Sequence, residues 1–176
     1  MSKPSKYPKA MIAIHWLTVI LVGLVFYKGT TLENLEFTEA NMNTFRSHAI
    51  PGMLILILTV VRFFLKRKNK HNLPEDIAYY GSAHKMLVES ANKLIYVLLI
   101  LAPLVGFVMV YKTGAFSYDL GGAFPEGAEF DDTLEVLHKL FVFSLVGLIV
   151  LHVAGVVVYK FKKGENLMKR VCLLLK

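Results

Sequence analysis

Long apolar runs alternate with short polar segments along the whole chain. Three of these runs contain no charged residue, namely 10–27, 94–111 and 140–159. Each is close to the ~20 residues that a helix needs to cross the hydrocarbon core of a bilayer. The pattern therefore predicts membrane-spanning helices rather than a soluble domain.

A fourth uncharged run, 47–61, is too short to cross the bilayer by itself. It reaches spanning length if its helix continues to residue 65, with Arg62 extending its charged end towards the interface. We therefore predict an all-α fold, an integral membrane four-helix bundle that forms one domain over residues 1–176. The predicted spans are about 10–27, 45–65, 94–111 and 134–159.

Composition agrees with this interpretation. Hydrophobic residues make up 55% of the sequence and the mean hydropathy is +0.52, which is too apolar for a soluble domain of this size. The first apolar run follows lysines, as the core of a signal peptide does. It is long, contains His15 and Trp16, and lacks a small-residue cleavage site, so we interpret it as a retained span.

The basic residues give the expected orientation. Sixteen of the 20 lie in the N-terminal arm, in the segment between the second and third spans, or in the C-terminal tail. The positive-inside rule therefore places both termini in the cytoplasm. The net charge of +7 does not indicate a nucleic-acid partner, because it is concentrated at the ends of apolar spans beside membrane lipid.

Three local signals refine the element boundaries. Residues 71–92 alternate polar and apolar positions and predict an interfacial lead-in to the third span. Asp132 and Glu135 have the spacing of a capping box and predict the start of the fourth span. Pro103 predicts a kink in the third span.

Four histidines fall within the spans or at their edges: His15, His48, His138 and His152. The last two are fourteen residues apart in the fourth span, about 21 Å along a helix, so they lie near opposite membrane edges. Because successive spans run in opposite directions, His15 is expected beside His152 near the cytoplasmic face. His48 is expected beside His138 near the external face. A polar ring inside a membrane must find a partner, so both pairs are candidate functional sites.

Two facing imidazoles without a cysteine or carboxylate nearby suit axial ligation of haem iron. Zinc fits less well, because it needs four ligands and each depth supplies two. A single membrane histidine could instead bond a backbone carbonyl, and a haem-free, histidine-lined metal or proton transporter is a further alternative. His71 and His84 lie in or near the cytoplasmic connection, where solvation explains them, although the role of His84 stays open.

Haem propionates also require cations. Arg62 is the candidate partner at the cytoplasmic end, and Lys112 or Lys139 at the external end; positioning of charge at the membrane interface explains these residues equally well. Some glycines could let a flat macrocycle approach a helix, or could serve close helix packing. These are Gly23, Gly52, Gly147 and Gly155.

Five sequence segments together resemble a known family. They are IHWLT at 14–18, SHAIPGMLILILTVVRF at 47–63, LAPLVGFVMVY at 101–111, LHKLF at 137–141 and GLIVLH at 147–152. In this order they resemble the bacterial cytochrome b561 family of four-helix, di-haem membrane proteins. The resemblance implies two haem b groups per chain in a bacterial inner membrane. It further implies His15 and His152 as ligands of the cytoplasmic-side haem iron, and His48 and His138 as ligands of the periplasmic-side one.

The same resemblance implies transfer of single electrons across the membrane. Ubiquinone is the implied partner, and some relatives are thought to oxidise superoxide while reducing ubiquinone. An alternative is a cytochrome b anchor subunit for a partner dehydrogenase or hydrogenase. External basic residues could attract a small anion, although nine external carboxylates oppose this. The basic residues concerned are Lys28, Arg46, Lys112 and Lys139.

Overall fold

The structure is a computed structural model that describes residues 4–75, 77 and 80–172. Every regular element in this part of the chain is helical. The helices are α1 (Lys9–Thr30), α2 (Met42–Lys68), α3 (Ser82–Lys112), α4 (Ala115–Asp119), α5 (Asp132–Lys163) and α6 (Met168–Val171). Short 3₁₀ turns, Glu39–Asn41 and Lys70–Asn72, precede and follow α2.

The helices α1, α2, α3 and α5 are long and apolar enough to cross a membrane. This confirms the predicted all-α membrane fold with four candidate spans. Large apolar side chains cover their outer surfaces, where Leu24, Ile57 and Phe143 are all more than half exposed. Such a surface is stable only in lipid, because water would impose a large free-energy cost on it.

Two buried threonine hydroxyl groups are satisfied within their own helices. The hydroxyl groups of Thr18 and Thr59 are both buried, and each donates a 2.8 Å hydrogen bond to the carbonyl one turn earlier in its own helix. The acceptors are Ile14 and Ile55. This pairing matters because a lipid-surrounded interior offers no water to unpaired donors.

The four long helices extend beyond the predicted spans. α3 begins at Ser82, so the C-terminal part of the predicted lead-in forms one continuous helix with the third span. Residues 76, 78 and 79 of that lead-in lie outside the described residues. α2 continues through Pro51 and α3 through Pro103, which shows that the bundle accommodates both prolines within helices.

The cap of α5 is one residue earlier than the sequence predicted. Asp131, not Asp132, is the capping residue, and its carboxylate accepts hydrogen bonds from the backbone N–H groups of Thr133 and Leu134. Asp131 has an extended backbone, which directs its side chain back over the first turn, whereas Asp132 is already helical.

Helices that are adjacent in the bundle order α1, α2, α3, α5 pack against one another. α1 also meets α5, where the ring of Phe26 contacts that of Phe143 at 6.3 Å between centroids. The two ends of the chain are joined as well: Trp16 Nε1 donates to the Val171 carbonyl at 2.7 Å, and the Tyr7 N–H to the Arg170 carbonyl at 3.1 Å. The N- and C-terminal segments therefore lie at the same end of the bundle.

We expect this shared end to face the cytoplasm, because most basic residues flank it. A green fluorescent protein fused after residue 176 should fluoresce in cells, and alkaline phosphatase at the same position should be inactive. The same phosphatase inserted after residue 122, between α4 and α5, should be active because that loop would face the periplasm. The reverse pattern would show that the orientation is inverted.

Candidate functional site

Two of the four predicted histidines meet at the end of the bundle opposite the terminal segments, called the external end because the sequence predicts that it faces outward. His48 on α2 and His138 on α5 have ring centroids 6.2 Å apart, with their planes inclined at 76°. Both rings are partly buried between helices. The structure thus brings together two imidazoles that are separated by about half of the chain in sequence.

Each of these rings is anchored by a backbone carbonyl of a neighbouring helix. Nδ1 of His48 lies 2.9 Å from the Val25 carbonyl oxygen on α1. Nδ1 of His138 lies 2.9 Å from the Ala102 carbonyl oxygen on α3. A carbonyl only accepts, so Nδ1 carries the proton in both rings. The lone pair of each Nε2 is then available to a metal ion.

The other two histidines are arranged around Arg62 in α2. Nη1 of Arg62 lies 2.7 Å from Nδ1 of His15. His152 lies near enough to His15 and Arg62 for charges on these groups to influence one another, and its own side chain is more exposed than that of His15. A guanidinium only donates hydrogen bonds, so Nδ1 of His15 is the acceptor and its proton lies on Nε2. His15 therefore has the opposite tautomer to the two external histidines.

Arg62 has further contacts and one unsatisfied donor. Its guanidinium carbon lies 6.0 Å from the centroid of the Tyr96 ring on α3. Its Nε is buried and has no hydrogen-bond partner within the described part of the chain. An unpaired charged donor in a membrane interior is costly, which marks Arg62 as a residue suited to an anionic partner.

Two glycines adjacent to the external histidines were not singled out by the sequence. A Cβ atom on Gly29 would lie 3.1 Å from Cε1 of His48, and one on Gly106 would lie 3.2 Å from Cε1 of His138. Each glycine follows by four residues the helix carbonyl to which its histidine is bonded. The useful sequence signal would have been a glycine at matched depth in a helix that lacks its own histidine there.

The glycines that the sequence did single out have no such contacts. A Cβ atom at any of them would meet no atom of another described residue within 4 Å, once its own local helix backbone is set aside. Close helix packing therefore does not account for them in this part of the chain. These positions are Gly23, Gly52, Gly147 and Gly155.

Three of the four external basic side chains singled out from the sequence are paired with carboxylates. Ion pairs join Arg46 to Asp119, Lys112 to Asp131, and Lys139 to Glu135 at 2.8 Å and to Glu33 at 4.0 Å. The ammonium group of Lys112 and the first turn of α5 hold the pKa of the Asp131 carboxyl below its usual range. These pairs weaken the attraction that the cations would exert on a small anion.

Phenylalanine rings pack together one turn outside His48. Phe45 on α2 contacts Phe37 at 5.4 Å and Phe130 at 5.6 Å between centroids, and Phe37 also contacts Phe124 at 5.6 Å. The rings come from two external loops and one helix. They fix these loops over the external end of the bundle through apolar contact.

His84 belongs to neither pair. It lies near the start of α3, where its ring contacts that of Tyr80 at 5.1 Å and its Nδ1 accepts the Tyr80 N–H at 3.4 Å. Nζ of Lys163 lies 4.6 Å from the same tyrosine ring. Across the described residues no group of three or more His, Cys, Asp or Glu side chains could hold a metal ion.

Comparison with known proteins gives a family match and a similar protein. Residues 6–172 match the sequence profile of the family described as prokaryotic cytochrome b561. The chain is also 25% identical, over 172 residues, to a probable superoxide oxidase CybB from Yersinia pestis. That match covers 94% of this chain and 95% of the relative.

Proposed function

The chain belongs to the prokaryotic cytochrome b561 family of membrane b-type cytochromes, and from this membership we propose that it transfers single electrons across the bacterial inner membrane. Two haem b groups, one near each face, would supply the redox-active iron. The electron acceptor in this proposal is ubiquinone and the donor is superoxide. The donor is suggested by the similar protein from Yersinia pestis, which is named a probable superoxide oxidase.

The geometry of His48 and His138 is the observation that carries the proposal. A histidine that binds a metal ion characteristically donates its second ring N–H to a carbonyl or carboxylate, which fixes the tautomer and raises ligand basicity. Both rings have this bond, to Val25 and Ala102. The two Nε2 atoms are therefore suited to be the axial ligands of one haem iron.

His15 and His152 are the proposed ligands of the second haem, with Arg62 as the partner of a propionate. The unpaired Nε of Arg62 supports this role, because a carboxylate can accept two hydrogen bonds from one guanidinium. Iron binding through Nε2 of His15 requires the proton to lie on Nδ1. Arg62 must then leave Nδ1, and a propionate would compete for it more strongly than a neutral imidazole.

The proposed overall reaction is balanced by simple stoichiometry. Two superoxide anions are oxidised to two molecules of O₂, and one ubiquinone takes up two electrons and two protons to become ubiquinol. The chain's contribution is to hold the ligand pairs at different depths and to exclude water from them. Because three of the four external cations are already paired, strong electrostatic collection of superoxide is not part of this proposal.

Histidine substitutions test the pairing. His48→Ala and His138→Ala should remove the same component of the reduced-minus-oxidised haem spectrum, because they remove ligands of one iron. His15→Ala and His152→Ala should remove the other component. Purified wild-type protein should contain two haems per chain, and His71→Ala, outside both pairs, should retain both. A His48→Ala variant that affects a different component from His138→Ala would contradict the pairing.

Arg62→Gln tests the role of the guanidinium. Loss of a positive charge beside the inner site favours oxidised iron, so the midpoint potential of that component should fall. A tenfold change in the one-electron equilibrium corresponds to about 59 mV. Arg67→Gln, on an exposed side chain of the same helix, is the matched control and should leave both potentials close to those of the wild type. An unchanged inner potential in Arg62→Gln would exclude the proposed propionate contact.

Reconstitution tests donor and acceptor. Purified protein in liposomes containing ubiquinone should form ubiquinol when superoxide is generated enzymatically outside, and added superoxide dismutase should suppress this. Double replacement of His48 and His138 by alanine should abolish it as well. Protein that contains both haems but forms no ubiquinol under these conditions would instead favour an anchor subunit that exchanges electrons with a partner enzyme.

A further inference from the structure

We propose that Gly29 and Gly106 are positioning residues that seat the two external histidines on helix carbonyls and thereby tune the outer haem. The inference rests on the proposed function, because it concerns the ligands of that haem. It goes beyond the ligands themselves, since neither glycine would contact the iron. It assigns a role to two helices, α1 and α3, that contribute no ligand to this site.

The same local arrangement occurs twice. On α1 the Val25 carbonyl accepts the Nδ1 proton of His48, and Gly29 is four residues further on. On α3 the Ala102 carbonyl accepts the Nδ1 proton of His138, and Gly106 is four residues further on. In an α-helix the N–H of the later residue also donates to this carbonyl, so each oxygen uses both lone pairs.

The absence of a side chain is what gives each ring access to the carbonyl. A Cβ atom on Gly29 would lie 3.1 Å from Cε1 and 3.4 Å from Nδ1 of His48. The corresponding distances at Gly106 are 3.2 Å and 3.4 Å, to Cε1 and Nδ1 of His138. An added methyl group would therefore push the ring away by a few tenths of an ångström. The shift would lengthen the 2.9 Å hydrogen bond of Nδ1 in each case.

The chemical consequence is specific. When Nδ1 donates its proton to a carbonyl, the imidazole becomes a stronger electron-pair donor at Nε2. This stabilises the oxidised, more positive iron. Weakening this bond should raise the midpoint potential of the outer haem. Loss of a second-shell partner typically lowers metal affinity by about 10–100-fold. A lengthened bond should give an effect towards the lower end of that range.

The test uses Gly29→Ala and Gly106→Ala in the full-length, haem-loaded protein. In each variant we expect the reduced-to-oxidised ratio of the outer component at fixed ambient potential to rise by up to about tenfold, equivalent to about 59 mV. The outer haem should also be lost more readily to excess apomyoglobin. The inner component, in the same molecules, should keep its potential.

Control substitutions add volume elsewhere on the same helices. Leu24→Phe on α1 and Val108→Leu on α3 enlarge exposed side chains and should leave both components unchanged. Alanine favours a helix more than glycine does, so an effect of Gly29→Ala or Gly106→Ala cannot come from loss of helix propensity.

The outcomes separate the two proposals. If the wild type lacks haem, or if its histidine variants do not pair as proposed, the function is wrong. If the wild type has two haems but both glycine variants leave the outer potential unchanged, the positioning role is wrong. Equal disturbance of inner and outer components in both variants would also overturn it, because that result indicates general helix packing.

Discussion

The bond between a histidine Nδ1 and a helix carbonyl is the interaction on which the external site depends. An imidazole inside a bilayer has no water to bond, so the free energy of burying it is acceptable only with a partner. The nearest partners for His48 and His138 are carbonyls that already belong to helices. The bond that satisfies the ring also fixes its proton on Nδ1. The same hydrogen bond therefore allows the ring to be buried in the membrane and leaves the lone pair of Nε2 available to a metal ion.

The two ends of the bundle solve this problem differently. At the external end neutral carbonyls hold two rings in one tautomer, which makes that site a matched pair. At the other end the Arg62 guanidinium, whose Nε has no partner among the described residues, holds His15 in the opposite tautomer. In the first arrangement both rings keep the same tautomer, which suits a pair of ligands that does not change. In the proposed haem site, the second arrangement would couple the proton position on His15 to the position of the Arg62 charge.

Charge is distributed in an equally asymmetric way. Basic residues crowd the end where the termini meet, and this directs insertion. At the external end acidic residues are in excess, and three of the cations there form ion pairs, as Lys112 does with the capping residue Asp131. Together with the phenylalanine cluster around Phe37, these pairs order the loops over the external histidines. Their main effect is structural, since a paired cation exerts little long-range attraction.

The sequence by itself determined the four long helices and the depth of each histidine. Insertion depends on the length and polarity of a local run, and the 1.5 Å rise per residue converts sequence position directly into depth. Only the tertiary structure decided which atoms meet those histidines. His48, His138 and His15 bond partners that are 23, 36 and 47 residues away, so the contacts depend on how the helices are rotated and spaced. Gly29 and Gly106 could be found from the sequence only by comparing depths between helices, because their role comes from a ring on another helix.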